Sequence, residues 1–264
     1  MKKGGLSGAA LKWLAIVCMA IDHIGATVAL QYFYRMAWFG TEAQYQTAYN
    51  LYMVLRCIGR FSFPVYCFLL VEGFYHTRSR GRYLRNLAVF ALISEIPFDL
   101  AFYDTVFETS HQNVFMTLAM GLAALWLAEL LWRGLEKRAG RSEKLALAME
   151  KSPVEVFAFR AVVGLVAVAP MALLAEVLNT DYGGWGVAII YVFYLLHDRK
   201  TLAATVSVAI MTVMQSIEIF GFPGILAIHF YNGTRGRQMK YFFYIFYPAH
   251  LLILYGVCRL LGYY

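Results

Sequence analysis

The chain has 264 residues, of which 61% are hydrophobic and only 15% charged, with a mean hydropathy of +0.58. A soluble domain of this size carries about a quarter charged residues, and a disordered chain has low hydrophobicity, so both classes are excluded. The formal net charge of +7, from 23 Lys and Arg against 16 Asp and Glu, takes its meaning from where the cations stand. This composition predicts an all-α polytopic membrane helix bundle forming a single transmembrane domain over 1–264. Cys18, Cys57, Cys67 and Cys258 all lie inside apolar runs without CxxC spacing, so they predict neither a disulfide framework nor a metal site.

The first apolar run, 11–34, follows Met1-Lys2-Lys3 and holds Lys12, Asp22 and His23. It is too long for a signal-peptide core and lacks a small-residue cleavage site, so it reads as a retained first span. Runs at 51–75 (with Arg56, Arg60 and Glu72), 83–103 (with Glu95 and Asp99), 113–133, 156–178 and 184–197 follow. A long stretch at 201–232 contains Glu218, and the last run, 241–260, holds His250. The only polar insert of any size lies at about 134–152 and is expected on the cytoplasmic surface.

Eighteen of the 23 basic residues fall in five places: around Lys12, Arg78–Arg85, Arg133–Lys151, Arg199-Lys200 and Arg235–Lys240. The positive-inside rule makes these turns cytoplasmic, with a cytoplasmic N-terminus and a bacterial-type inner membrane as the site. Since Lys200 and Arg235 then share one face, 201–232 must cross twice, broken near Gly221-Phe222-Pro223. The count becomes about nine transmembrane helices. A soluble nucleic-acid module is absent, so nucleic acid is not an expected partner; the lipid bilayer is.

Ionisable groups at bilayer depth are costly and mark functional positions by default. At 1.5 Å rise per residue, His23 lies roughly 16 Å beyond Lys12 and Glu95 roughly 18 Å beyond Tyr83. Arg60 and His250 fall at comparable depth, so four spans are expected to converge on a central polar site. Glu95 and Asp99 are i,i+4 neighbours, as are Arg56 and Arg60, which suggests that the arginines clamp those carboxylates or grip an anionic substrate. His23 suits general-base work near neutral pH. Asp22 points about 100° away from it on a helix, so Asp22 is expected to meet Arg60 or a neighbouring helix, and Glu95 is an equally good orienter of His23. GxSxG, HExxH, Walker A and strand-linked GxGxxG signatures are missing, and no metal site is expected.

Several of these residues sit in longer motifs. Met19-Ala20-Ile21-Asp22-His23-Ile24-Gly25, Ile58-Gly59-Arg60-Phe61-Ser62-Phe63-Pro64, Val71-Glu72-Gly73-Phe74, Ser94-Glu95-Ile96-Pro97-Phe98-Asp99 and Gln112-Asn113-Val114-Phe115 resemble the TraX family. Tyr231-Asn232-Gly233 and Tyr247-Pro248-Ala249-His250 are similar to that family's C-terminal part. The resemblance implies an integral-membrane acetyltransferase whose namesake acetylates the N-terminal amine of conjugative pilin. It is distantly similar to the acyltransferase-3 group, whose pattern of a basic residue, ten residues and a histidine fits Lys12-x10-His23, with Lys where Arg is more usual.

On that reading acetyl passes from cytosolic acetyl-CoA to an amine or hydroxyl near the outer face. His23 is the expected base or acetyl carrier, supported by Asp22, Glu95, Asp99 and Arg60. Lys12, Arg78, Arg80, Arg82, Arg235, Arg237 and Lys240 are the expected partners of the acetyl-CoA phosphates, and Arg56, Glu72, Asn113 and His250 those of the acceptor. The alternatives are a proton-coupled transporter and a non-catalytic assembly factor.

Overall fold

The computed structural model describes residues 4–141, 152–237 and 239–264. Among these residues the chain is predominantly helical, with two isolated β-bridges, Leu6 to Tyr231 and Gln112 to Thr180, and no strand. Six helical segments are long and apolar enough to cross a membrane: Gly8–Phe39, Glu42–His76, Arg80–Tyr103, Val114–Ala139, Pro153–Val177 and Phe242–Leu260. Most of the insert expected at 134–152 lies outside the described residues, but its first six residues continue the fourth of these helices.

The first two long passages are each interrupted where their sequence obliges it. Helix α1 (Gly8–Ile24) starts at Ser7, whose hydroxyl accepts from the Ala10 amide. A π-turn, Gly25–Ala29, follows His23 almost directly and leads into α2 (Leu30–Phe39). Gly25 packs against Leu55 so closely that a Cβ there would press on it. Helix α3 (Glu42–Gly59) returns and gives way to α4 (Ser62–His76). The joint falls at Arg60-Phe61 because Pro64 has no amide hydrogen to give the Arg60 carbonyl.

Helices α5 (Arg80–Tyr103), α6 (Val114–Ala139) and α7 (Pro153–Val177) complete the long set, followed by α8 (Gly183–Leu195). Helix association within lipid depends on close packing by small residues. Here Gly121 of α6 faces Ile190 of α8, and Gly164 of α7 faces the Tyr191 hydroxyl. Phe74, Leu122, Leu125, Ile189 and Phe193 are fully buried where these helices meet α4. Outward residues such as Val177 and Val213 stand 76% and 89% exposed, as a lipid-facing surface requires.

The 201–232 stretch is a hairpin: α9 (Lys200–Met214), a 3₁₀ turn at Ser216–Gly221, and the short α10 (Phe222–His229). The break expected at Gly221–Pro223 comes earlier, at the extended Gln215. Pro223 sits in the first turn of α10, where its missing amide hydrogen costs nothing. Gly221 and Gly224 lie against the Arg60 and Phe61 carbonyls, where a Cβ would stand 3.2 and 3.3 Å from those oxygens. The hairpin thereby reaches the α3–α4 joint. Helix α11 (Lys240–Leu260) closes the bundle against α5, with Phe90 stacked on Tyr244.

Candidate functional site

Two buried constellations meet where α1, the α3–α4 joint, the α9–α10 hairpin and α11 come together. The first is ionic. Asp22 receives Arg56 Nη1 at 2.5 Å on one oxygen and Arg60 Nη2 at 2.7 Å on the other. Arg60 Nη1 reaches Glu218 at 2.6 Å, and its Nε donates to the Arg56 carbonyl at 3.1 Å. Two guanidinium groups thus balance two carboxylates with no charge left over. Glu218 is 3% exposed and Arg60 7%, so neither charge is tolerable there without the other. Gly59 makes the contact geometrically available, since a Cβ at 59 would overlap Asp22.

The second constellation is a histidine pair. His23 Nδ1 lies 2.7 Å from His250 Nε2, across 227 residues of sequence. The rings are nearly coplanar at 8°, with centroids 5.0 Å apart, which is an in-line hydrogen bond rather than a face-to-face stack. His250 Nδ1 is 2.9 Å from the Phe246 carbonyl, an acceptor only. Neutral His250 must therefore carry its proton on Nδ1, leaving Nε2 as an acceptor. His23 in turn donates from Nδ1, and its Nε2 keeps a lone pair with no hydrogen-bond partner among the described residues. Phe102 and Tyr247 meet the His23 ring edge-on, fixing its plane.

A third group stands nearer the end where α5 turns into α6. Asn113, fully buried, caps α6 by accepting from the Phe115 amide and donates to the Ala91 carbonyl at 2.9 Å. It also donates to Glu95. Asp99, fully buried, accepts from the Glu108 amide at 2.9 Å and thereby ties down the 104–112 loop. Glu95 Oε1, Asp99 Oδ1 and Glu218 Oε2 are buried without a hydrogen-bond partner among the described residues. Buried acceptors left open in this way are unusual and favour a donor from outside the chain.

The structure corrects several expectations. Arg56 and Arg60 clamp Asp22 and Glu218, not Glu95 and Asp99, because the α3–α4 joint faces α1 and the hairpin rather than α5. The orienting partner of His23 is His250, not Glu95, which is engaged by Asn113. Glu72 lies away from these groups, joined to His197 Nε2 at 2.7 Å and the Tyr231 hydroxyl at 2.9 Å. The hydrogen bond to Glu72 raises the His197 pKa above its ordinary value. The expected meeting of Asp22 with Arg60 is present.

The basic residues separate into groups. Lys12 lies over the Phe243 ring at 5.4 Å, near Arg235, whose carbonyl accepts from the Ala9 amide. Arg237 is exposed in the same α10–α11 link, and Lys240 begins α11. Arg78 and Arg80 instead line a cavity against α6, and Arg82 is exposed in the first turn of α5.

Sequence reasoning gave no role to Glu129, which pairs with Arg133, Arg160 and Arg80 at 2.9, 3.2 and 3.8 Å. The signal was available: Glu129 and Arg160 are ionisable groups inside apolar runs. Nor did it find Tyr182, which stacks on Phe63 with centroids 3.6 Å apart.

The chain is 28% identical over 273 residues to a probable fimbrial assembly protein FimC, serogroup H1, of Dichelobacter nodosus, covering 92% of each chain. No solved structure matches it. The profile of the family described as TraX protein matches residues 7–258, nearly the whole chain. This multi-pass membrane protein belongs to the TraX family.

Proposed function

We propose that the protein is a membrane acetyltransferase of nine helical passages, with the histidine pair and the Asp22–Arg60 cluster as its central polar site. The observation that carries this reading is the His23–His250 contact. It leaves an imidazole lone pair oriented by a second imidazole that is itself fixed by a carbonyl, the arrangement a general base requires.

Acetyl-CoA, as second substrate, supplies the acetyl group as a thioester. Lys12, Arg235, Arg237 and Lys240 suit its phosphates, since Lys12 stands on the His23 helix eleven residues away, roughly 16 Å. His23 Nε2 takes the proton of the acceptor amine as its nitrogen attacks, and returns it to the departing thiolate. The positive charge developing on His23 is shared through His250 toward the Phe246 carbonyl. Arg60 has its Nε and both terminal nitrogens committed to protein acceptors and so serves as a positioning residue. Among the described residues Arg56 spends only Nη1, on Asp22, leaving donors for the carbonyl oxygen of the tetrahedral intermediate.

Glu95 and Asp99, with their open oxygens, suit a cationic amine arriving from the opposite end, and a carboxylate there takes its first proton so that a neutral nitrogen attacks the thioester. The relative named for fimbrial assembly favours a pilin-like N-terminus over an amino sugar. With the basic turns inside, the N-terminus is cytoplasmic and the acceptor end faces outward.

The test is incubation of the purified protein with labelled acetyl-CoA and an amine-bearing peptide. His23→Ala should abolish transfer, and His250→Gln should slow it about 100-fold, the low end for a general base. Unchanged transfer in folded His23→Ala overturns the mechanism. That relative's name also favours a second reading, a non-catalytic assembly factor, for which no label transfers in wild type while pilus assembly requires the chain.

A further inference from the structure

A cavity of about 530 Å³ lies at the basic end, lined by Thr77, Arg78, Ser79, Arg80, Gly81, Trp126 and Arg133. It is built from the α4–α5 turn and one face of α6. Its charge is not balanced from within: Glu129 is a single carboxylate shared among Arg80, Arg133 and Arg160. Arg78 makes no ion pair among the described residues and is exposed. The rim therefore holds a surplus of positive charge against two hydroxyl side chains, Thr77 and Ser79.

The α6 face adds a second character. Trp126, Leu130 and Arg133 follow at i, i+4 and i+7 and share one side of the helix. Leu130 is 52% exposed, and the neighbouring Leu127 and Leu131 are 43% and 42% exposed. The Trp126 ring packs over Gly81, at 3.2 Å from where a Cβ would stand. Guanidinium groups thus sit directly beside an apolar, lipid-facing strip, with an indole between them.

We propose that this cavity binds a phosphate ester, and that its occupant is the headgroup of an anionic phospholipid whose acyl chains run along the Leu127–Leu131 side of α6. Arginine forks recognise phosphate oxygens, and basic pockets between membrane helices suit such headgroups. The exposed leucines favour a lipid over a soluble nucleotide, which would leave them unused. This site is independent of the acetyl-transfer reading.

The test uses the full chain in mixed micelles, with bound lipid counted by native mass spectrometry and affinity measured by titration. Phosphatidylglycerol should bind more tightly than phosphatidylcholine, and inorganic phosphate and ADP should displace it poorly. Arg78→Gln and Arg133→Gln should each weaken phosphatidylglycerol about fivefold, leaving phosphatidylcholine unchanged. Arg78→Gln breaks no ion pair among the described residues, so its effect reads on binding and not on folding. The lipid assignment is overturned if ADP or phosphate displaces the lipid stoichiometrically, which identifies a soluble phosphate ester. The site itself is overturned if both variants keep the wild-type preference for phosphatidylglycerol.

Discussion

Replacing Arg60 by Met tests how tightly the ionic cluster is balanced. In the wild type Arg56 and Arg60 face Asp22 and Glu218, with side-chain exposures of 23% and 8% for the arginines and 12% and 4% for the acids. Arg60→Met removes the only cation touching Glu218 among the described residues and one of two touching Asp22, leaving net charge −1 in a buried site. Breaking a buried pair from one side costs about 3–5 kcal/mol, because the desolvated partner stays behind. Glu218→Gln added to Arg60→Met restores neutrality, so the double variant should recover about 2 kcal/mol relative to additivity. Arg60→Lys keeps the charge but not the fork that reaches both acids, and should fall between wild type and Met. The assay is equilibrium unfolding in detergent micelles, read by near-UV circular dichroism across the four members of the cycle. An Arg60→Met cost below about 1 kcal/mol, or strict additivity in the cycle, would refute the balance argument.

Three further outcomes follow from single contacts. Asn113→Asp should destabilise more than Asn113→Ala although Asp is an equally good helix cap, since it sets acceptors against the Ala91 carbonyl and Glu95; the same unfolding assay should show about 2–4 kcal/mol. Gly59→Ala must part α1 from α3 around Asp22, costing about 1–3 kcal/mol, while Gly134→Ala, with open space around it, should be neutral or stabilising. The Asp181 carboxylate, 3.7 Å from the His111 ring in the α5–α6 loop, raises the histidine's pKa by favouring its charged form. A raised folded pKa means that the pair's stabilisation is complete below the ordinary histidine value of about 6.5 and is lost as pH rises through the folded value. His111→Gln should flatten that pH dependence in thermal unfolding, and 1 M salt should shrink it, because both side chains are more than a third exposed.

Much was legible in the sequence because membrane proteins obey strong local rules. Apolar run length located every long helix, with α2 and α6 running five and six residues past their runs and α3 beginning nine residues earlier because its first turns are polar. The rule that charge in lipid must be matched singled out Asp22, His23, Arg56, Arg60, Glu72, Glu95, Asp99, Glu218 and His250 without any alignment. It was also enough to foresee Asp22 meeting Arg60, since adjacency on a helix turns Asp22 away from His23. The chain's own motifs pointed to its family.

Partner choice was decided only in three dimensions. Periodicity gives the face a residue occupies on its own helix but not which helix stands opposite, so the i,i+4 spacing of Arg56 and Arg60 matches the acids of α5 equally well, although the pair belongs to α1 and the hairpin. The His23–His250 bond joins opposite ends of the chain, and nothing in either segment alone foretells it. Glu72 looked equivalent to Glu95 by composition, yet its place one turn from the end of α4 gives it His197 and Tyr231 instead. Sequence determined which groups must find partners, because an unmatched charge in lipid costs so much. The tertiary structure decided which partners they found, because that depends on the packing of Gly59, Gly221 and Gly224, where the absence of a side chain lets separate helices touch.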